Sequence, residues 1–114
     1  MLIYEVNLEV DEEINYKMAA YLQEHLQKML TFKGFRTAYW FFRRPEDEPD
    51  APPEKTLWTI QYVVESREDL DDYLANHAEA MRGETNERFA DKFKATRRIL
   101  NLLGVAGLSS EQNA

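Results

Sequence analysis

"FRTAYWFFRR", Phe35–Arg44, runs into "PEDEPDAPPEK", Pro45–Lys55, and then into "TLWTIQYVVES", Thr56–Ser66. The outer segments are rich in aromatic and β-branched residues and read as strands. The middle segment holds all four prolines and five acidic residues, Glu46, Asp47, Glu48, Asp50 and Glu54. Such a composition supports no packed element, so residues 45–55 read as a solvated loop in preference to a recognition segment. Two strands therefore follow one another with no helix between them.

On the N-terminal side, "LIYEVNLEV", Leu2–Val10, alternates. Leu2, Tyr4, Val6, Leu8 and Val10 point one way, and Ile3, Glu5, Asn7 and Glu9 the other, as in a half-buried strand. Asp11 is a candidate helix N-cap with Glu12 and Glu13 in the first turn. Ile14, Met18, Tyr21, Leu22, Leu26, Met29 and Leu30 then recur at helical spacing, and Gly34 is a candidate C-cap. On the C-terminal side, Ser66-Arg-Glu-Asp69 has the form of a capping box. Leu70, Tyr73, Leu74, His77, Ala78 and Met81 mark a second helical stripe, which Gly83 is expected to break. "ETNERFADK", residues 84–92, reads as a further short helix and "FKATRRIL", residues 93–100, as a fourth strand.

The order is strand, helix, strand, strand, helix, strand. It predicts an α+β, ferredoxin-like βαββαβ domain over residues 1–103, with a four-stranded antiparallel sheet and two helices on one face. Residues 104–114 are expected to form a flexible C-terminal tail.

The chain has 114 residues, which suits one domain. Its net charge of −7 argues against nucleic acid or an anionic membrane as the main partner. No cysteine is present, so thiol catalysis and Cys-type zinc sites are excluded. The first residues lack the basic start of a signal peptide, and no apolar run reaches membrane-spanning length. The expectation is a soluble, cytoplasmic protein.

Aromatic residues occur on both faces of the second strand. Phe35, Tyr39 and Phe41 alternate with Ala38, Trp40 and Phe42. In the usual strand order this is an edge strand, which needs a cover. A second copy of the same sheet is the simplest cover, so a homodimer is expected, with Trp40, Phe42, Trp58 and Tyr62 as interface candidates.

"IYEVNLEVD", "HAEAMR" and "RFADKF" leading to "RRIL" resemble the bacterial family known as domain of unknown function 4286. The likeness runs from about Leu2 to Leu100 and leaves out the acidic loop and the tail. The resemblance implies a fold of the dimeric α/β barrel type and carries no established activity. The wider set of such barrels includes cofactor-free monooxygenases, isomerases, haem-degrading enzymes and amino-acid-sensing modules.

The histidines are the candidate catalysts. His77 shares the stripe of Leu70, Tyr73, Leu74 and Met81, and His25 lies between Leu22, Leu26 and Met29. Either could act as a general base, and either could equally be a bonded core or border residue. Glu5 and Asn7 lie on the polar side of the first strand. Arg97 and Arg98 are adjacent on the fourth and must point to opposite faces, so one of them could pair with Glu5 or Asn7. Arg82, near a helix end, is a candidate anion binder. These five are the ligand-binding candidates. No phosphate loop, nucleophile elbow or HExxH is present, and nothing calls for a metal or cofactor. The leading expectation is binding of a small ligand or protein partner. A cofactor-independent, monooxygenase- or isomerase-like enzyme using His77 or His25 is the alternative, and a purely structural interaction module is the third.

Overall fold

The computed structural model describes residues 1–107. The elements are β1 (Leu2–Asp11), α1 (Asn15–Met29), β2 (Phe35–Arg43), β3 (Lys55–Val64), α2 (Arg67–Asn76), α3 (Ala78–Phe89) and β4 (Phe93–Asn101). The four strands form one antiparallel sheet in the order β2-β3-β1-β4. This is the α+β ferredoxin-like fold, with β1 and β3 central.

Strand alternation assigns the faces. Tyr4 stands opposite Tyr62, Val6 opposite Ile60 and Leu8 opposite Trp58. These residues share one cluster with Met18, Leu22 and Met29 of α1, Leu70 and Tyr73 of α2, and Met81 and Phe89 of α3. All three helices therefore cover the same face. Burying one side chain such as Leu70 or Val64, both fully inaccessible, contributes about 1.5–3 kcal/mol.

Ser66 caps α2 as its sequence predicts: its Oγ accepts the Asp69 N–H at 3.2 Å. Four other local expectations need correction. Asp11 ends β1 and caps no helix, because its carboxylate is held by Lys55, its partner across the ladder. A 3₁₀ turn, Glu12–Ile14, separates it from α1. Gly34 lies beyond the α1 C-cap, Leu30, in the turn into β2, with φ +83°. A Cβ there would fall 2.2 Å from an Asp69 carboxylate oxygen, so both conformation and space demand glycine.

Phe35 does not share a face with Tyr39 and Phe41. A bulge sets Phe35 opposite Val64 but Thr37 opposite Val63. The extra residue, Arg36, turns Phe35 into the core, because strand side chains change face with every residue.

The helical stripe breaks at His77 and not at Gly83. His77 has φ −130° and ψ −27°, and α3 runs unbroken through Gly83. An interior glycine costs a helix only about 1 kcal/mol. Met81 and Phe89, buried on either side of it, outweigh that. Residues 84–92 are thus the second half of α3 and a terminal 3₁₀ turn, Ala90–Lys92. Residues 102–107 are exposed and form neither helix nor strand; the rest of the expected tail lies outside the described residues.

Candidate functional site

A cavity of about 60 Å³ lies between the helical layer and the sheet. That is room for a few waters or a small ligand. Polar side chains of six elements line it. From β1 comes Tyr4, from α1 His25, from α3 Arg82, Thr85 and Asn86, and from β4 Arg97. Tyr62 and Tyr73 complete the hydroxyl set, and the remaining wall is apolar.

Periodicity explains each placement. Met18, Leu22, His25 and Met29 are one stripe of α1, and Met81, Arg82, Thr85 and Asn86 are one face of α3. Arg97 stands opposite Val6 and Arg98 opposite Glu5, so the adjacent arginines part to opposite faces, as strand geometry requires.

Arg82 donates from Nη2 to the Tyr4 hydroxyl at 2.9 Å. Its Nε is buried with no partner among the described residues. His25 Nδ1 lies 3.2 Å from the Tyr21 hydroxyl, which is 2.7 Å from Thr85 Oγ1. Thr85 donates in turn to the Met81 carbonyl. The donor order that satisfies this chain has His25 Nδ1–H donating to Tyr21, and Tyr21 to Thr85, which leaves Nε2 unprotonated. Burial lowers the His25 pKa, with nearby Glu84 opposing and Lys28 assisting. Burial also pushes the Tyr73 hydroxyl up to about 12, against the pull of Arg82 and Arg97, and raises Tyr62 further. Both hydroxyls therefore stay protonated and able to donate.

The other candidates lie elsewhere. His77 is at the α2–α3 junction, outside the cavity, with its side chain 42% exposed. It stacks on Phe32 at 4.6 Å between ring centroids and lies 4.0 Å from Asp72. Glu5, Asn7 and Arg98 meet on the open face of the sheet. Glu5 accepts from Arg98, from Gln61 at 2.9 Å and from Asn7 at 3.0 Å, and Thr59 donates to Asn7 at 2.6 Å. Arg98, with desolvation opposing, brings the Glu5 pKa down to about 2. Glu5 is only 2% exposed because its partners cover it.

The interface candidates also move. Trp58 and Tyr62 are buried under the helices, and Trp40 packs edge-on against Trp58 with ring centroids 5.1 Å apart. They follow the parity of Ile60 and so belong to the helix-covered face. Phe42 shares that parity but is exposed. The aromatics on the open face are Tyr39 and Phe41, 52% and 47% exposed.

Sequence reasoning missed Tyr4, Tyr73, Thr85 and Asn86 as site residues. The two tyrosines read as core because they sit on apolar stripes. The i, i+3, i+4 spacing of Arg82, Thr85 and Asn86 was available, but only to a reading that carried the helix through Gly83. Among the described residues, no three His, Asp or Glu side chains are grouped to hold a metal ion.

A family model matches residues 1–103. The chain belongs to the family described as domain of unknown function, DUF4286. No functionally curated protein matches this DUF4286 chain. Its fold is similar to that of a "putative antibiotic biosynthesis monooxygenase" from Deinococcus radiodurans, with TM-score 0.68 and 12% identity over 96% of this chain and 100% of that one. It is also similar to a dimeric ferredoxin-like protein from an uncultured marine organism, with TM-score 0.63 and 11% identity over 91% and 97% of the two chains. The de novo designed protein Foldit4 shares the fold as well, with TM-score 0.59 and 10% identity over 90% and 98%. A designed chain among these neighbours illustrates that the architecture by itself specifies no chemistry. Among the described residues of this DUF4286 protein, no helix is long and apolar enough to cross a membrane.

Proposed function

We propose that this protein is a cytoplasmic homodimer that binds a small ligand in the cavity between sheet and helices. The observation that carries the reading is convergence: side chains from β1, α1, α3 and β4 direct polar groups into one apolar-walled space. The dimer reading is supported by Tyr39 and Phe41 on a sheet face that none of the three helices covers. A second copy, related by a two-fold axis, would cover both. The neighbour from the marine organism is itself described as dimeric.

The ligand reading is tested by a small-molecule screen read as thermal shift. A binder raises the melting temperature of the wild-type chain. Ala95→Phe, which fills the cavity from β4, removes that response while circular dichroism stays native. A response that survives Ala95→Phe would place the ligand elsewhere and reject this reading.

The second reading is a cofactor-independent enzyme with His25 as base. It is favoured by one observation, the place of His25 in the cavity wall with a pKa lowered by burial. A neutral imidazole at neutral pH is the form a base requires. Activity should rise with pH through a pKa below 6.5, His25's ordinary value, and His25→Ala should remove that limb.

A further inference from the structure

The cavity carries a charge pattern that the rest of the chain does not share. The chain has 21 acidic residues against 14 lysines and arginines. Yet none of the residues lining the cavity is Asp or Glu, while two, Arg82 and Arg97, are arginines. They approach from opposite layers, one on α3 and one on β4. Both line the same cavity, together with the Tyr73 hydroxyl.

Neither guanidinium meets a carboxylate among the described residues. Among the described residues Arg82 and Arg97, like Arg88, form no ion pair, whereas Arg36, Arg43, Arg44, Arg67 and Arg98 each do. Arg82 makes one side-chain bond, to a neutral phenol, and its buried Nε–H has no acceptor among the described residues. A buried donor left unmade costs about 1–3 kcal/mol, and more on a charged group. Arg43 Nε is also buried and unmet among the described residues, but only Arg82 lines the cavity, where a ligand or an ordered water can supply the acceptor.

The protein's own hydroxyls do not supply negative charge. Tyr62 and Tyr73 are held protonated, so they add donors. Much of the remaining lining, including Leu8, Leu22, Met29, Ile60 and Phe93, is apolar. Two cations and several donors in an otherwise largely apolar space describe the complement of an amphiphilic acid.

We infer that the cavity binds a small monocarboxylic acid with an apolar body, its carboxylate between Arg82 and Arg97 and its body against Leu22 and Ile60. This rests on the small-ligand reading above and specifies its chemistry. A planar carboxylate suits the guanidinium fork, since it can accept two parallel N–H bonds, including the unmet one from Nε. The Tyr4 hydroxyl, 2.9 Å from Arg82 Nη2, is a neutral donor beside this pair. The size of the cavity restricts the body to a short chain or a single ring.

The test uses the full chain at low ionic strength. Hexanoate, benzoate and phenylacetate are titrated beside their primary amides and inorganic phosphate, by calorimetry and by the arginine Nε–H region of the ¹H–¹⁵N spectrum. At least one acid should bind at least tenfold more tightly than its amide and move the Arg82 Nε–H signal, assigned by its loss in Arg82→Gln. Arg97→Gln, on an exposed strand position and so the safer variant to fold, should weaken binding at least tenfold. Amides that bind as well as acids would overturn the anion assignment while leaving the small-ligand reading intact. Phosphate binding more tightly than every acid would overturn the carboxylate. No binding by any acid, with a neutral compound from the thermal-shift screen still lost in Ala95→Phe, also rejects the anion. If Ala95→Phe changes no response at all, the small-ligand reading fails with it.

Discussion

Two histidines separate at the level of single residues. His77 occupies the helix break, stacked on Phe32 and partly open to solvent, while His25 stands in the cavity wall. His77→Ala should cost roughly 1 kcal/mol or less, the value of a partly exposed aromatic contact, and leave ligand response unchanged. His25→Ala should alter ligand affinity. Urea unfolding and the thermal-shift response of each variant measure the two effects separately. Glu5 gives a second prediction, in acid. Its pKa falls from an ordinary 4.5 to about 2 in the folded chain. A depressed folded value stabilises fully above about pH 4.5, and that contribution is lost as pH falls towards 2. Glu5→Gln should therefore flatten the loss of stability across that window. Its cost at pH 7 should be about 1–2 kcal/mol, held down because Arg98 is mostly in water. Urea unfolding at a series of pH values reads both.

At the scale of elements, local chemistry and packing divide the decisions. The Ser66 cap and the alternation of β1 involve only neighbours in sequence, and both were legible. The limits of α3 were not, because glycine's weak helix propensity was set against the burial of Met81 and Phe89, which only the folded chain reveals. One prediction follows from that contest. Gly83 is exposed, lies inside α3 and has nothing within 4 Å of an added Cβ. Gly83→Ala should stabilise the protein by about 0.4–1 kcal/mol, seen as a higher denaturation midpoint at unchanged slope. The bulge in β2 is the other element-scale decision. Nothing in "FRTAYW" marks Arg36 as the extra residue; the pairing of β2 with β3 selects it, because that register buries Phe35 against Val64.

For the whole molecule the open sheet face is the governing feature. It has a closed polar cluster around Glu5, with exposed Tyr39 and Phe41 towards the β2 edge. If two copies pack through it, folding and association are linked, and the melting temperature rises with protein concentration. Phe41→Glu should abolish that dependence and give a monomer by sedimentation velocity. A wild-type melting temperature independent of concentration, together with a monomeric sedimentation coefficient at micromolar concentration, rejects the dimer. The cavity also belongs to this scale, since no single element contains it.

The sequence by itself determined the element order, the central strand's two faces, the Ser66 cap and the parting of Arg97 from Arg98. Each follows from a period of two or 3.6, or from a side chain bonding its own backbone a few residues away. Tertiary structure decided where α2 ends, which way Phe35 faces, and which candidates share a site. It set His25, Arg82 and Arg97 around one cavity, left His77 at a helix junction, and put Glu5, Asn7 and Arg98 on the far side of the sheet. Those outcomes depend on side chains far apart in sequence competing for the same buried space, and a local pattern holds no record of that competition.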